Sequence, residues 1–590
     1  MSTGDTESLL EKADEAPSTD AETDSEQETG APSPVDRSTF RNRFRLADGR
    51  GLLTNVLAIG TVALALSGAP FALVALTGAV VLGLSVRPRG RVVARSIPTG
   101  GDVTARTLLA LMLPLLGGLN GAAEAPLILA SALLAVATVG ELTVARVLRA
   151  AIPYAVNVPG LMVRNAPRIQ RGWLFVANAV SLVALAALSL IADNWLLVAV
   201  PLPSLLLMVL MLADGVLRIR GRRVAERRLT PLLEAYGPVF AFHWDAPREE
   251  SFQLSMWLPY LERLGVPFMV IVRNPKTFDF ASQETTRPVL LRRELADLDA
   301  VVVPSLKTAF YVNNNTRNQH FVRYTQLKHI HLNHGESDKA PSYSPLFRLF
   351  DKNFVAGQAA IDRFAANGVW LHPDAFSIVG RPQVETIEVE TQPISEAAVK
   401  TVIYAPTWSG FFADSRYSSL LVGYGIVQAL LERGCVVMFR PHPYTEKSAA
   451  MAREAHRIRT LLQQDRTRTG RPHITGTADL PGATIADWFN AASALISDVS
   501  SVVPDFLYSE KPYAMTAMAG PVDTFAERFP ISRGAYVIRP DLRNLEETLD
   551  RLLDSDPIRE QRRALKKYYL GDFPHEGYAD AFLDEARKYL

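Results

Sequence analysis

Hydrophobic and polar positions split the chain into two halves with different periods. Between Gly51 and Ala213 apolar residues run almost unbroken in blocks: LLTNVLAIGTVALALS, FALVALTGAVVLGLS, TLLALMLPLLGG, LILASALLAVATVG, LFVANAVSLVALAALSLI and WLLVAVPLPSLLLMVLMLA. Most approach the roughly 20 residues that cross a bilayer as a helix, the block from Thr107 being the shortest. The reading is a multi-span region of about six helices over 51–216 and a linker over 217–237. From Pro238 short apolar strands alternate with helical stretches: VFAFHW, FQLSMWLPYLERLG, VPFMVIVR, AVVVPS, HIHLNHG, NFVAG, AIDRFAANG and FSIVG. After a polar link near 385–399 the alternation restarts with TVIYAPTW, VGYGIVQALLERG, CVVMFRPHP, ADWFNAAS, ALISD, VPDFLYSEK and PYAMT. Such alternation predicts parallel sheets with helices on both faces. The expected fold is therefore a helical membrane region followed by two Rossmann-like α/β domains, 238–395 and 396–590, facing across a cleft. Ligands of such sheets lie beyond the carboxyl ends of the strands.

Charge adds an orientation. Lys+Arg number 62 against Asp+Glu 61, a net charge of +1, so nothing overall points to a nucleic-acid partner. Residues 1–36 are acidic and rich in Ser, Thr and Pro and read as a disordered tail, with a basic stretch closing 1–50. The apolar run starts too far in for a cleavable signal peptide. Arg87, Arg89, Arg91 and Arg95 follow the second block, Arg146, Arg149, Arg164, Arg168 and Arg171 the fourth, and Arg218, Arg220, Arg222 and Arg223 the sixth. The alternate connections carry no Lys or Arg, which predicts a multi-pass protein of the cell membrane with both termini and the α/β half in the cytoplasm. No block has an interior Lys, Arg or His, so the region reads as an anchor rather than a charged path; holding a lipid-linked acceptor is the other reading. The single cysteine, Cys435, offers neither a disulfide framework nor a Cys-based metal site.

The polar residues just after the strands are the candidates for chemistry. In ALISDVSSVVPDFL a strand ends, Asp498 opens a turn, and Ser501 or Ser500 caps the next helix, with Pro504 in its first turn. A helix start offers free N–H groups to a phosphate, although any capped helix after a strand looks alike. In CVVMFRPHP the prolines hold Arg440 and His442 extended and on one side, a grip suited to phosphate. In HIHLNHGESDK, His329 and His331 belong to a strand, while His334 lies at its carboxyl end, placed to accept a proton; an ordinary loop histidine is the alternative. No fourth ligand at suitable spacing supports a metal there. Lys339 is placed to offset phosphate charge, YAPTW delivers Thr407 and Trp408 to the same rim, and FSIVGRP delivers Gly380 and Arg381. His575 and Gly577 precede a final helix expected to lean on the cleft.

Taken in order, His334-Gly335 with Lys339, YAPTW (404–408), FRPHP (439–443) and SDVSSVVPDFL with KP (497–512) resemble the CDP-glycerol glycerophosphotransferase family of teichoic-acid synthesis. The resemblance runs from near 240 to near 580. It implies a GT-B-like fold and transfer of a polyol phosphate from CDP-glycerol or CDP-ribitol, releasing CMP, to a lipid-linked or polymer acceptor, without a cofactor or metal. It implies His334 and His442 as the catalytic imidazoles, His334 as general base. His442 and Arg440, with Ser500 and Ser501, would hold the donor phosphates and Asp498 would position donor or hydroxyls; Arg381, read from its strand end, is a further candidate for the phosphates. Two departures stand out: Glu336 and Ser337 replace a Thr-Pro pair, and the family is usually attached peripherally, whereas this chain has spans. A nucleotide-sugar glycosyltransferase of the same form, and a non-catalytic membrane scaffold, remain open at this point.

Overall fold

A computed structural model describes residues 46–85, 100–119, 125–150, 154–170, 172–191, 195–408 and 417–590. The acidic tail, Arg87, Arg89, Arg91, Arg95 and Arg171, and the connections 120–124 and 192–194 lie outside the described residues, as does the side chain of Arg149.

The apolar half forms helices α1 (Leu46–Leu66), α2 (Phe71–Ser85), α3 (Gly100–Leu119), α4 (Ala125–Ala150), α5 (Gly172–Leu188) and α6 (Leu202–Tyr236). Among the described residues two stretches are long and apolar enough to cross a membrane, Ala125–Leu148 and Trp195–Tyr236; Gly51–Leu66, Phe71–Ser85, Val103–Leu115 and Gly172–Leu188 are apolar but shorter. The expected six spans are thus two candidates and four shorter helices. Their outer faces are apolar: Leu52, Ile59, Leu76, Val136, Val180 and Leu206 are all exposed.

Two expectations for this region are corrected. The helices extend past the apolar blocks, so α3 includes Arg106 and α4 includes Glu141, and interior charge does occur. Arg106 makes a bidentate pair with Glu141 (2.6 and 2.7 Å), and Asn178 of α5 donates to the same carboxylate at 2.7 Å. All three are buried, and mutual pairing is what makes their burial tolerable. The stretch 217–237, expected as a linker, is instead the second half of α6 and its cap. The helix stops at Gly237, whose φ of 66° suits glycine and whose N–H bonds Leu233 O at 2.9 Å.

The rest is two α/β lobes. The first sheet holds β1 (Ala155–Val156), β2 (Phe240–Trp244), β3 (Phe268–Val272), β4 (Val289–Leu291), β5 (Thr308–Tyr311), β6 (Lys328–His331), β7 (Lys352–Val355) and β8 (Phe376–Ile378), in the order β1-β4-β3-β2-β5-β6-β7-β8. All neighbours are parallel except β1, which comes from the apolar half and pairs antiparallel with β4. The second sheet holds β9 (Thr401–Ala405), β10 (Val436–Phe439), β11 (Ala494–Ser497), β12 (Tyr513–Thr516) and β13 (Tyr536–Ile538), parallel throughout in the order β10-β9-β11-β12-β13. Both are doubly wound orders, as the strand–helix alternation predicted. AVVVPS departs from its strand reading: its start is a 3-10 turn (Ala296–Val301), and the strand comes later as β5. The chain's last helix, α7 (Asp580–Arg587), returns to the first lobe, where Phe582, Leu583 and Ala586 join the core around β2 and β3.

Candidate functional site

A doubly wound sheet opens a crevice where its strand order reverses. In the second lobe this falls between β9 and β11, flanked by the end of β10. Thr407 and Trp408 follow β9, Asp498 to Ser501 follow β11, and Arg440 to His442 follow β10, so three quoted motifs converge there. Their order in the sheet explains why segments far apart in sequence share one rim.

His442 is held by its own loop. Its backbone N–H bonds Pro406 O at 3.2 Å, and its Nδ1 accepts from the Tyr444 N–H at 3.1 Å. A backbone N–H only donates, so the neutral ring carries its proton on Nε2. Partial burial, with Lys339, Arg440 and Lys447 nearby, pushes its pKa down to about 4, so it is neutral at pH 7. Trp408 stacks on it at 6.0 Å, and Tyr444 meets both rings edge-on at 5.3 Å. Arg440 lies over Trp488 at 5.9 Å from the ring centroid. Its Nε is buried without a hydrogen-bond partner, and burial alone pulls its pKa below the guanidinium value. An arginine in a crevice with no carboxylate beside it, among the described residues, is suited to an anion from outside.

The first lobe presents His334. The reversal in its sheet falls between β2 and β5, and the His334 Nδ1 bonds Val312 O, just past β5, at 2.6 Å. A carbonyl only accepts, so Nδ1 carries the proton and Nε2 keeps a free lone pair. The side chain is exposed to solvent yet walled by protein, so desolvation lowers its pKa through the cleft walls rather than by covering the ring, aided by Arg381. The other two histidines of the motif are spent on the fold. His329 bonds the Tyr311 hydroxyl at 2.8 Å, and His331 is buried against Phe347 and Phe350. No group of three or more His, Cys, Asp or Glu among the described residues is disposed to hold a metal.

The two rims meet. A Cβ placed on Gly335 would lie 3.1 Å from Ser501 Cβ, so the His-Gly loop touches the double serine directly. Asp338 bridges to the second lobe, accepting from the Ile531 N–H at 3.2 Å and the Tyr569 hydroxyl at 2.9 Å. Lys339 reaches across to sit 5.2 Å from the Tyr417 ring centroid, within electrostatic range of Asp498 and His442. Burial pushes its pKa down to about 8, with Asp498 opposing. Glu336, the departure from the family pattern, turns away from the cleft to pair with buried Arg363 at 3.2 Å, which Asp338 also joins.

Two expected phosphate ligands, Arg381 and Asp498, are used differently. Arg381 is buried in a bidentate pair with Asp505, so its charge is already matched. Asp498 is wholly buried and braces the crevice, accepting from the Thr407 N–H (2.7 Å), the Ser419 N–H (3.1 Å) and the Thr516 hydroxyl; burial pushes its pKa up to about 6 against those bonds. Ser501 does not cap its helix through its side chain. The Val503 N–H closes an early tight turn on Ser500 O at 3.2 Å, and Ser501 is already helical (φ −64°, ψ −15°), which directs its hydroxyl away from capping. That helix, Val502–Leu507, is only six residues, so an anion grip rests on side chains more than on its dipole. His575 bonds the Tyr508 hydroxyl at 2.8 Å, and Gly380 (φ 71°) sits under Tyr578, both supporting the rim. The sequence reading missed Phe252, exposed and 6.3 Å edge-on from His334, and Tyr444, whose place after the RPHP run was the available signal.

These features describe two α/β lobes whose rims meet, the His334-Gly335 loop against the double serine and Lys339 near His442 and Asp498. Residues 382–519, a stretch that takes in YAPTW, FRPHP and the double serine, match the CDP-Glycerol:Poly(glycerophosphate) glycerophosphotransferase family, which bears out the resemblance read from those motifs and indicates an enzyme of CDP-glycerol glycerophosphotransferase type. No curated protein matches the chain. Among solved structures, the wall teichoic acid polymerase TagF is similar at 13% identity and TM-score 0.38, covering 64% of this chain and 95% of that one. A UDP-N-acetylglucosamine 2-epimerase from Listeria monocytogenes is similar at 13% identity and TM-score 0.37, covering 59% and 95%. At these scores neither likeness carries an argument for this chain.

Proposed function

We propose that the chain is a membrane-held transferase of teichoic-acid-like polymer synthesis, moving a polyol phosphate, glycerol phosphate foremost, from a CDP-alcohol to an acceptor hydroxyl. The observation that supports this is the meeting of the two rims, Gly335 against Ser501 and Lys339 near His442, with His334 Nε2 bare on one side and the buried, unbonded Arg440 Nε beside proton-bearing His442 on the other. In the reaction, the acceptor O–H gives its proton to His334 Nε2 while its oxygen attacks the distal phosphorus. The bond from that phosphorus to the bridging oxygen breaks, and CMP departs. The diphosphate is already activated, so positioning and charge stabilisation carry most of the catalysis. Arg440, Lys339 and the His442 Nε2–H offset charge on the phosphoryl group and CMP, and the Ser500 and Ser501 hydroxyls add donors. Arg381 and Asp498 hold the frame. Trp408 and Tyr444 make an aromatic wall beside the grip.

The apolar helices support a membrane setting. Trp173, at the start of α5, and Trp195, in the 3-10 turn Trp195–Ala199, are both exposed, aromatic residues of the kind enriched at bilayer interfaces. The described arginines Arg146, Arg168, Arg220 and Arg223 lie toward the α/β lobes, which supports a cytoplasmic site where nucleotide donors are found. The test is release of CMP when the purified chain meets CDP-glycerol, CDP-ribitol or UDP-sugars with a glycerol phosphate oligomer. CMP from CDP-glycerol is expected; UDP from a sugar nucleotide, or no product, would refute the proposal.

A further inference from the structure

The contacts along α6 give the catalytic lobe a direction relative to the apolar helices. Moving along α6 away from them, Arg218 donates to Asn165 O (2.6 Å), the Tyr154 hydroxyl bonds Arg222 O (3.5 Å), and Glu226 pairs with Arg292, just past the end of β4 (2.5 Å). Farther on, Thr230 bonds Ala300 O (2.9 Å), and Tyr236 bonds Phe268 O at the start of β3 (3.1 Å). So α6 runs antiparallel to the strands, and their carboxyl ends face back toward the apolar helices. The second junction agrees. Leu291 N, at the end of β4, bonds Tyr154 O at 2.7 Å, while Asn157 bonds Thr285 O ahead of β4 at 3.0 Å. His334 follows the carboxyl end of β6, on that same edge. Strand twist swings the edge sideways without moving it to the other end of the sheet.

The mount is also stiff. Helix α6, continuous across Pro231, enters the lobe core through buried Leu229 and Leu233, and a paired strand fastens a second point. Leu217 is the last exposed apolar residue before the run of Arg218, Arg220, Arg222 and Arg223, and Glu226 lies nine residues on, level with the end of β4. At 1.5 Å per residue that is a rise of roughly 13 Å. The polar layer of a bilayer leaf is about 5–8 Å deep.

We infer that the two-point mount holds the His334 side of the cleft on the membrane-facing edge of the lobe but beyond the headgroup layer, so the enzyme selects lipid-borne acceptors by reach. This rests on the transferase reading above. An acceptor hydroxyl buried among headgroups falls short, whereas one carried on a polar spacer of on the order of 10–20 Å enters the cleft.

The test uses the full chain in phospholipid vesicles with CDP-glycerol and a series of lipid acceptors, identical at the reactive end and differing in spacer length. CMP release is expected to rise at least about tenfold between the shortest and the longer spacers, and the same series in detergent should vary less than about threefold. Equal rates for all spacers in vesicles, or an equally steep dependence in detergent, would overturn the inference. No CMP with any acceptor in detergent would instead refute the transferase reading. Tyr154→Ala with Glu226→Ala, which loosens the junction, should flatten the length dependence in vesicles and leave the detergent rate unchanged; an unaltered dependence would count against the mount as its cause.

Discussion

His334 and His442 both follow a strand of a doubly wound sheet, and both are neutral at pH 7, yet their rings are wired oppositely. His334 gives its Nδ1 proton to the Val312 carbonyl and faces the cleft with a lone pair. His442 takes the Tyr444 N–H on Nδ1 and keeps its proton on Nε2. Each choice is made by one backbone group. The surroundings follow the same division: His334 has exposed Phe252 beside it, whereas His442 lies among Arg440, Lys339 and Lys447, three cations that suit an anion. The difference teaches how the proposed reaction would divide between the lobes, one taking a proton from an acceptor and the other holding a diphosphate. In each lobe a single backbone hydrogen bond sets which ring nitrogen carries the proton.

The largest effect that would break this division is loss of the base. His334→Ala is expected to lower turnover by about 10²- to 10⁴-fold, measured as CMP release under saturating donor. The pH profile comes next. Because the His334 pKa lies below the ordinary 6.5, turnover should hold through neutrality and fall only on acidification below that value. An ammonium on Lys339 is lost as pH rises through about 8, so an alkaline decline is expected there, and Lys339→Met should remove it. The smallest effect is steric. Gly335→Ala puts a methyl 3.1 Å from Ser501 Cβ and forces the loops apart by a few tenths of an ångström, expected to lower turnover less than about tenfold with little change in stability.

Much of this was legible in the sequence because strand ends have a signature. The runs HIHLNHG, CVVMFRPHP and ALISDVSS each pass from β-branched residues to Pro, Gly or Ser, and each became a strand with its polar residues at the carboxyl end. What was not legible depended on partners distant in sequence. Arg381 looked like an anion ligand until Asp505 was brought against it, and Asp498 looked like a site residue until Thr407, Ser419 and Thr516 surrounded its carboxylate. Arg106 and Glu141 escaped notice because the apolar blocks were bounded by charge, although a charge matched across helices does not end a helix. The continuity of α6 was hidden in the same way, by arginines that read as a linker.

The most direct test of the division between lobes is calorimetric titration of CDP-glycerol into His334→Ala and Arg440→Ala side by side. Removing a charge-assisted contact of about 1.5–3 kcal/mol should weaken donor binding by Arg440→Ala roughly 10- to 100-fold, while His334→Ala binds within about twofold of the parent. Equal weakening of both variants, or undiminished binding by Arg440→Ala, would contradict it.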